Sequence, residues 1–178
     1  RCGALRPRRR PDGAAGGGCE PEDRAGHNTT AVTLRQRFPT EDGTELRLPP
    51  ELGVFGALAR LSLASDCLTG PIPSELGALP ALEILNLSNN KLTGEIPPEL
   101  GALRPLRRIY LDNNELTGGI PPELGALLGL ETLSLNNNRL TGEIPTELGA
   151  LPALRLLLLD NNRLTGPIPS GLGALLGP

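Results

Sequence analysis

The chain repeats itself every 24 residues, and this period constrains its fold more than any other feature. A Pro-Glu-Leu-Gly segment or a near copy recurs with its leucine at Leu52, Leu76, Leu100, Leu124, Leu148 and Leu172. Five units share the pattern L-G-A-L-x-x-L-x-x-L-x-L-x-x-N-x-L-T-G-x-I-P-x-E, over residues 52–75, 76–99, 100–123, 124–147 and 148–171. Because a fixed period of this length is typical of stacked repeat units, the sequence predicts a solenoid.

Within one unit, the segment L-x-x-L-x-L alternates around its last two leucines, as a short strand does. In the unit that begins at Leu76, Leu85 and Leu87 point inward, whereas Asn86 and Ser88 point outward. A single unit cannot bury its own leucines, so stacking places the strands side by side, parallel and in register. Aromatic residues make up only 2% of the chain, which leaves leucine to form the core.

An asparagine column follows the strand and reads Asp66, Asn90, Asn114, Asn138 and Asn162. The chain turns sharply there. A buried asparagine both donates and accepts hydrogen bonds, so it can satisfy the turn and link it to the next unit. Because an ionised Asp66 only accepts, we expect the turn of the first unit to be looser or to pair differently.

A glycine column comes next, at Gly70, Gly94, Gly118, Gly142 and Gly166. Glycine at a repeated turn position indicates tight packing or a positive φ. The Ile-Pro that follows is expected to be extended, since proline disfavours the α conformation in the residue before it. The P/S/T-E-L-G segment then predicts a short turn or 3₁₀ segment on the opposite, convex side of the solenoid.

The repeats divide the chain into three regions. Residues 1–27 are rich in Arg and Gly and are predicted to be a disordered tail. Residues 28–51 are predicted to be a degenerate repeat or an N-terminal cap, because Leu46–Leu52 aligns with a repeat ending. Residues 52–178 hold five repeats and a truncated sixth. The last leucines carry no polar cap, so we expect the natural protein to continue.

The residues needed for catalysis, metal binding or cofactor binding do not converge in the sequence. The only histidine is His27, in the tail, and no hydrolase, zinc or phosphate-loop motif is present. The sequence therefore predicts no enzyme activity, no metal and no cofactor. The net charge of −3 argues against nucleic acid, and no apolar run is long enough to cross a membrane, so we expect neither partner for this segment.

Three cysteines leave one without a partner. Cys2 and Cys19 lie in the same tail and are able to pair, which leaves Cys67 over. Charged residues occupy the slot of Cys67 in the other units, at Lys91, Glu115, Arg139 and Arg163. Charged occupants indicate exposure, so Cys67 is predicted to be a reachable thiol.

The L-x-x-N-x-L-T-G-x-I-P core of the unit resembles the plant-specific type of leucine-rich repeat. Such repeats occur in receptor-like kinase ectodomains and in polygalacturonase-inhibiting proteins. The resemblance implies an α/β repeat solenoid: a right-handed superhelix with a parallel β-sheet on its concave face and 3₁₀ or loop segments on its convex side. It further implies a recognition domain of a larger receptor-like or signalling protein at the cell surface or outside the cell.

A partner would bind the outward residues of the strands, and the informative positions are those that break the polar pattern there. Tyr110 and Arg108 stand in the third unit, and both types are common interface anchors. Leu156 and Leu158 point outward in the fifth unit, where they cannot help the core. The predicted binding residues are Arg108, Tyr110, Asp112, Asn86, Ser88, Ser134, Asn136, Leu156 and Leu158.

A charged strand column reads Glu83, Arg107, Glu131 and Arg155. An in-register parallel sheet would bring these opposite charges side by side, which we interpret as support for the register.

Two glycosylation sequons bear on the location of the protein: Asn28-Thr29-Thr30, and Asn86-Leu87-Ser88 on the proposed strip. A glycan at Asn86 would mask the strip. This favours an intracellular location or an unused site, whereas the family resemblance favours the cell exterior.

The leading functional prediction is a non-catalytic module that recognises a protein or peptide on the concave face. An inhibitor of a secreted enzyme and an intracellular scaffold are the alternatives. Substitution of Tyr110 separates the leading prediction from the scaffold, since a scaffold would lose no partner.

Overall fold

The computed structural model describes residues 31–33 and 47–176. Ten short strands occur in these ranges, namely β1 (Ala31–Thr33), β2 (Arg60–Ser62), β3 (Thr69–Gly70), β4 (Ile84–Asn86), β5 (Lys91–Leu92), β6 (Arg108–Tyr110), β7 (Thr132–Ser134), β8 (Thr141–Glu143), β9 (Leu156–Leu158) and β10 (Arg163–Thr165). Six of them form one parallel sheet in the order β1-β2-β4-β6-β7-β9. The predicted α/β repeat solenoid is confirmed.

The register of the main sheet follows the repeat. The central residue of each strand pairs with the residue 24 positions later, and this row of partners is Leu61, Leu85, Ile109, Leu133 and Leu157. Ala31 of β1 pairs with Arg60, which is a longer step than the one from Arg60 to Ile84. Residues 28–51 thus supply a strand to the sheet, while their assignment as a repeat or a cap stays a prediction.

The core is made of leucine and isoleucine, as the shortage of aromatic residues predicts. The inward leucines of the central repeats, such as Leu85, Leu87, Leu111 and Leu135, are fully buried. Burial of a side chain of this size contributes about 1.5–3 kcal/mol. Since each repeat supplies several, the solenoid needs no large ring in its core.

Six 3₁₀ segments stack in a second row, at Pro50–Val54, Ser74–Ala78, Pro98–Ala102, Pro122–Ala126, Thr146–Ala150 and Ser170–Leu176. This confirms the turn prediction for the P/S/T-E-L-G segment. The glycine of the segment allows adjacent turns to approach each other. A Cβ on Gly77 would lie 2.5 Å from the backbone oxygen of Glu99, so any side chain there would push the two repeats apart.

The asparagine column forms a ladder of buried hydrogen bonds, as predicted. Asn114 Nδ2 donates to the carbonyls of Leu87 (3.0 Å) and Leu111 (3.1 Å), and its Oδ1 accepts from the amide of Leu92 (3.0 Å). Asn138 makes the equivalent bonds one repeat later. Leu87 and Leu92 belong to the repeat before Asn114, so the ladder links each repeat to the preceding one rather than to the next.

Two columns adopt a positive φ. The predicted glycine column does so, with φ between 74° and 78°. The residue before each position of the asparagine column also does so, at Ser65, Asn89, Asn113, Asn137 and Asn161. This second column was not predicted. The Asn-Asn pair was its sequence signal, because asparagine tolerates the left-handed region better than most residues.

The first turn differs from the others, as its aspartate predicts. Cys67 has a φ of 57°, whereas no equivalent residue in the later repeats has a positive φ. Within the described residues the side chain of Asp66 makes no ladder hydrogen bond, and burial raises the pKa of its carboxyl.

Cys67 forms a disulfide bond, and the prediction of a reachable thiol at this position is wrong. The side chain does lie at an exposed position, as its charged counterparts indicate. An exposed cysteine can nevertheless be bonded to a cysteine that lies far away in the sequence. The bonded partner lies outside the described residues. The expected Cys2–Cys19 pair and the predicted tail of residues 1–27 lie outside them as well, and with three cysteines in the chain that pair competes with the bond at Cys67.

In the described part of the chain, no helix has the length and apolar character needed to cross a bilayer.

Candidate functional site

The outward side of the main sheet, called the sheet face below, consists of three rows of side chains. The in-register pairing aligns equivalent residues of the five repeats in each row. The first row is Arg60, Ile84, Arg108, Thr132 and Leu156. The middle row is Ser62, Asn86, Tyr110, Ser134 and Leu158. The third row, at the carboxyl ends of the strands, is Ala64, Ser88, Asp112, Asn136 and Asp160.

The third repeat places Arg108, Tyr110 and Asp112 on the sheet face. Arg108 is exposed and lies 3.8 Å from Glu131, from Nη2 to Oε2. Tyr110 is half-buried and is in register with Asn86 on one side and Ser134 on the other. Asp112 Oδ2 accepts a hydrogen bond from Asn113 Nδ2 at 2.7 Å. The sequence-predicted cluster is therefore continuous along one strand.

The two predicted serines are far less accessible than their outward direction suggests. Ser88 and Ser134 are both buried, with only 4% of Ser134 exposed. The Ser88 hydroxyl donates to Asn86 Oδ1 and the Ser134 hydroxyl donates to Asn136 Oδ1, both at 2.8 Å. Each serine is thus paired with the asparagine two residues away on the same side of the strand. The sequence signal was this spacing, Asn-Leu-Ser and Ser-Leu-Asn.

The fifth repeat carries the exposed apolar part of the sheet face. Leu156 and Leu158 are 44% and 36% exposed, and they flank Thr132 and Ser134 in register. The prediction that these leucines point outward agrees with their exposure.

A groove follows from the sizes of neighbouring side chains. In the first two rows, the small Thr132 and Ser134 of the fourth repeat form its floor, and larger residues of the third and fifth repeats stand on either side. In the third row, Asn136 and the two flanking aspartates are similar in size, so this end of the groove is shallow. Since the flanking strands are two strand spacings apart, the walls are about 10 Å apart. The floor is Thr132, Ser134 and Asn136, one wall is Arg108, Tyr110 and Asp112, and the other wall is Leu156, Leu158 and Asp160.

The charges of the groove are paired at one end and unpaired at the other. At the amino end, Arg107 Nη1 lies 3.1 Å from Glu131 Oε1, which is the one ion pair that the described residues of the charged column form with each other. At the carboxyl end, Asp160 Oδ2 accepts from Asn161 Nδ2 at 3.0 Å, as Asp112 does from Asn113. Neither aspartate has a cationic partner among the described residues.

The described residues bring together no group of three or more His, Cys, Asp or Glu side chains suited to a metal ion. The polar side chains of the groove are a guanidinium, hydroxyls, an amide and carboxylates. Ser134 hydrogen-bonds to Asn136, and the two aspartates accept from the neighbouring Asn113 and Asn161. Their arrangement suits the recognition of a ligand by shape, hydrogen bonding and charge.

Family models for leucine-rich repeats match the chain in two places. One, described as leucine rich repeat, matches residues 104–164, and a two-copy model matches residues 80–122. A search of curated protein sequences found no match.

Solved structures of plant receptors are similar to the chain. The plant peptide hormone receptor RGFR1, in complex with RGF2, is 36% identical over 75% of this chain and 22% of its own, with a TM-score of 0.71. The Arabidopsis receptor kinase HAESA, in complex with the peptide hormone IDA and the co-receptor SERK1, is 42% identical over 70% and 21%, with a TM-score of 0.67. The ectodomain of SOBIR1 from Arabidopsis thaliana is 32% identical over 68% and 67%, with a TM-score of 0.64.

The chain spans about a fifth of the length of the longer receptor structures that it matches.

Proposed function

Because the chain belongs to the leucine-rich repeat family and its repeats are of the plant receptor type, we propose that it is a non-catalytic recognition module that binds a peptide on its sheet face. Two of the similar structures are receptors in complex with their ligands: a peptide hormone receptor with RGF2, and HAESA with the peptide hormone IDA. They support a peptide as the ligand class. The module forms part of a larger receptor-like protein in this proposal.

The half-buried Tyr110 is the observation that carries the proposal. It is the only tyrosine of the chain, and it stands in the third of five repeats, where a ligand can touch neighbours on both sides. Its in-register neighbours, Asn86 and Ser134, are shorter, and the residue is only half-buried, so part of it is accessible to a ligand. Tyrosine at an interface centre combines a large contact area with a hydroxyl that hydrogen-bonds.

The chemistry of the sheet face supports a peptide over nucleic acid or a membrane surface. Its third row carries two aspartates and no cation, and a phosphate backbone or an anionic bilayer would meet repulsion there. The middle row offers hydroxyls, an amide, a phenol and a leucine, which are the groups that a peptide of mixed polarity requires. In this proposal the sheet face holds its ligand without transforming it.

A random peptide library displayed on phage tests the proposal when it is panned against the full chain with its disulfide intact. We expect enriched peptides to bind the native chain and to bind Tyr110→Ala about thirtyfold more weakly, since loss of an interface tyrosine typically costs about 2 kcal/mol. The matched control is Phe55→Ala, which removes an exposed aromatic ring outside the sheet face and should leave affinity unchanged.

The thermal midpoint of Tyr110→Ala should stay close to that of the native chain, because the side chain does not belong to the core. Unfolding of this variant would place Tyr110 inside and contradict the proposed site. An absence of enriched peptides, or enriched peptides that are insensitive to every sheet-face substitution, would contradict a recognition role and favour a scaffold.

A further inference from the structure

We propose that the groove above the fourth repeat binds an extended peptide segment in which an aliphatic residue and an arginine or lysine lie two positions apart. This inference rests on the proposed function, and it names the chemistry of the ligand. The floor of the groove is Thr132, Ser134 and Asn136, and its walls come from the third and fifth repeats.

The middle of the groove selects an apolar side chain. Leu158 is 36% exposed on one wall, and Tyr110 is half-buried on the other. Between them lies Ser134, whose hydroxyl already donates to Asn136 Oδ1 and is almost inaccessible. The floor therefore offers a polar ligand group no free hydroxyl at Ser134, whereas an aliphatic group would cover the exposed leucine.

The carboxyl end of the groove selects a cation. Asp112 and Asp160 stand on opposite walls beside Asn136, and each uses one carboxylate oxygen to accept from its neighbouring asparagine. No cation among the described residues pairs with either aspartate. A guanidinium or ammonium group between the walls would be complementary in charge to both carboxylates. Because the N–H donors of a guanidinium point in more than one direction, one arginine can donate to both walls.

The spacing of these two environments matches an extended chain. Ser134 ends β7, and Asn136 follows two residues later, where backbone hydrogen bonds to the fifth repeat continue. The apolar and acidic parts of the groove are therefore about 6.7 Å apart along its axis. An extended peptide that runs along the groove presents residues i and i+2 on one side at the same distance.

The ligand meets side chains rather than a free strand edge. The strand β7 that underlies the floor is already paired with β6 and β9, so no backbone edge is available to extend the sheet. The identity and spacing of the ligand's side chains therefore decide affinity in this groove.

Four end-capped synthetic peptides test the inference on the full chain with its disulfide intact: G-S-L-S-R-S-G, G-S-L-S-E-S-G, G-S-S-S-R-S-G and G-S-L-R-S-S-G. They vary the charge, the aliphatic residue and the spacing in turn. We expect the first to bind at least tenfold more tightly than each of the others by isothermal titration calorimetry. Its affinity should fall as salt is raised from 50 to 500 mM, because the contact is ionic in part.

Matched variants assign the two contacts. Asp160→Asn and Asp112→Asn should each weaken binding of the arginine peptide at least fivefold and leave the glutamate peptide no weaker. Leu158→Ala should weaken the arginine peptide, whereas Leu128→Ala, which shortens an exposed leucine beside the 3₁₀ segment Pro122–Ala126, should change nothing. Equal affinity for the arginine and glutamate peptides, or for the two spacings, would overturn the inference.

The outcomes also separate this inference from the proposed function. If library peptides depend on Tyr110 but lack the aliphatic and basic pair, the function stands and the ligand chemistry is wrong. If Leu158→Ala changes the mass measured by light scattering and not peptide affinity, the apolar wall binds a second copy of the chain and the inference fails. If neither library nor synthetic peptides bind, both fail.

Discussion

Equivalent positions of the central and fifth repeats hold the same types of residue, but these residues differ strongly in their exposure to solvent. Ile120 in the third repeat is 3% exposed, whereas Ile168, at the same slot two repeats later, is 77% exposed. Leu133 is fully buried, and its in-register neighbour Leu157 is only partly buried. The difference shows that a core residue is buried by the repeats on both sides of its own repeat, and not by its own repeat alone.

The physical reason is that contacts in a solenoid are made between neighbours. A central repeat is covered on two sides. Within the described residues only 172–176 follow the fifth repeat. They belong to the 3₁₀ segment Ser170–Leu176, which stacks on the preceding 3₁₀ segment rather than over Ile168. Stability in this chain therefore varies along the solenoid axis, although the repeat sequence hardly does.

The isoleucine slot offers the largest expected contrast. Ile120→Ala should lower the free energy of unfolding by about 2–5 kcal/mol, because it leaves a cavity in a closed core. Ile168→Ala should lower it by less than about 0.5 kcal/mol, because most of that side chain is exposed. Urea denaturation followed by circular dichroism measures both. Equal effects of the two substitutions would show that the fifth repeat is covered as well as the third.

The asparagine ladder offers the second contrast. Asn114→Ala leaves the buried carbonyls of Leu87 and Leu111 and the amide of Leu92 without their partner, which should cost about 2–3 kcal/mol. Asn162→Ala removes the equivalent bonds, but Asn162 is only partly buried and water can replace it, so we expect about 1 kcal/mol.

The same urea experiment measures the asparagine variants. A loss at Asn162 as large as that at Asn114 would mean that solvent does not reach the last turn of the ladder.

The first repeat offers the smallest contrast and the only one that depends on pH. Asp66→Asn should raise the free energy of unfolding by about 1 kcal/mol at pH 7, because an asparagine there can donate as its counterparts do. Burial raises the pKa of the Asp66 carboxyl, so the native chain holds this proton more tightly than the unfolded chain does. The native aspartate is therefore least favourable at neutral pH and becomes more favourable as the pH falls through its raised pKa.

The difference between Asp66→Asn and the native chain should accordingly shrink from pH 7 towards pH 3. Comparing the two proteins at each pH cancels the titration of the other carboxyls. A difference that grows on acidification would contradict a raised pKa at Asp66.

Most of the fold could be predicted from the sequence because each structural position of the repeat is represented by five equivalent residues. The alternation around Leu85 and Leu87 predicts the strand, the asparagine column predicts the ladder, and the glycine column predicts the positive φ. The pairing of Arg107 with Glu131 follows from the same period. The binding residues of the sheet face stay a prediction, since only their positions and surroundings are known.

The sequence by itself determined the period, the inward face, the ladder and the outward position of Tyr110, because these depend on spacing within a unit and on the next unit being a copy. Tertiary structure alone decided what differs between copies. The disulfide of Cys67 depends on where a distant cysteine lies. The burial of Ser134 depends on its neighbours in register, Tyr110 and Leu158, and on its bond to Asn136. The disulfide needs a contact between distant chain segments, and the burial of Ser134 needs cover by side chains of the repeats on both sides, which the spacing of Ser134 and Asn136 does not supply by itself.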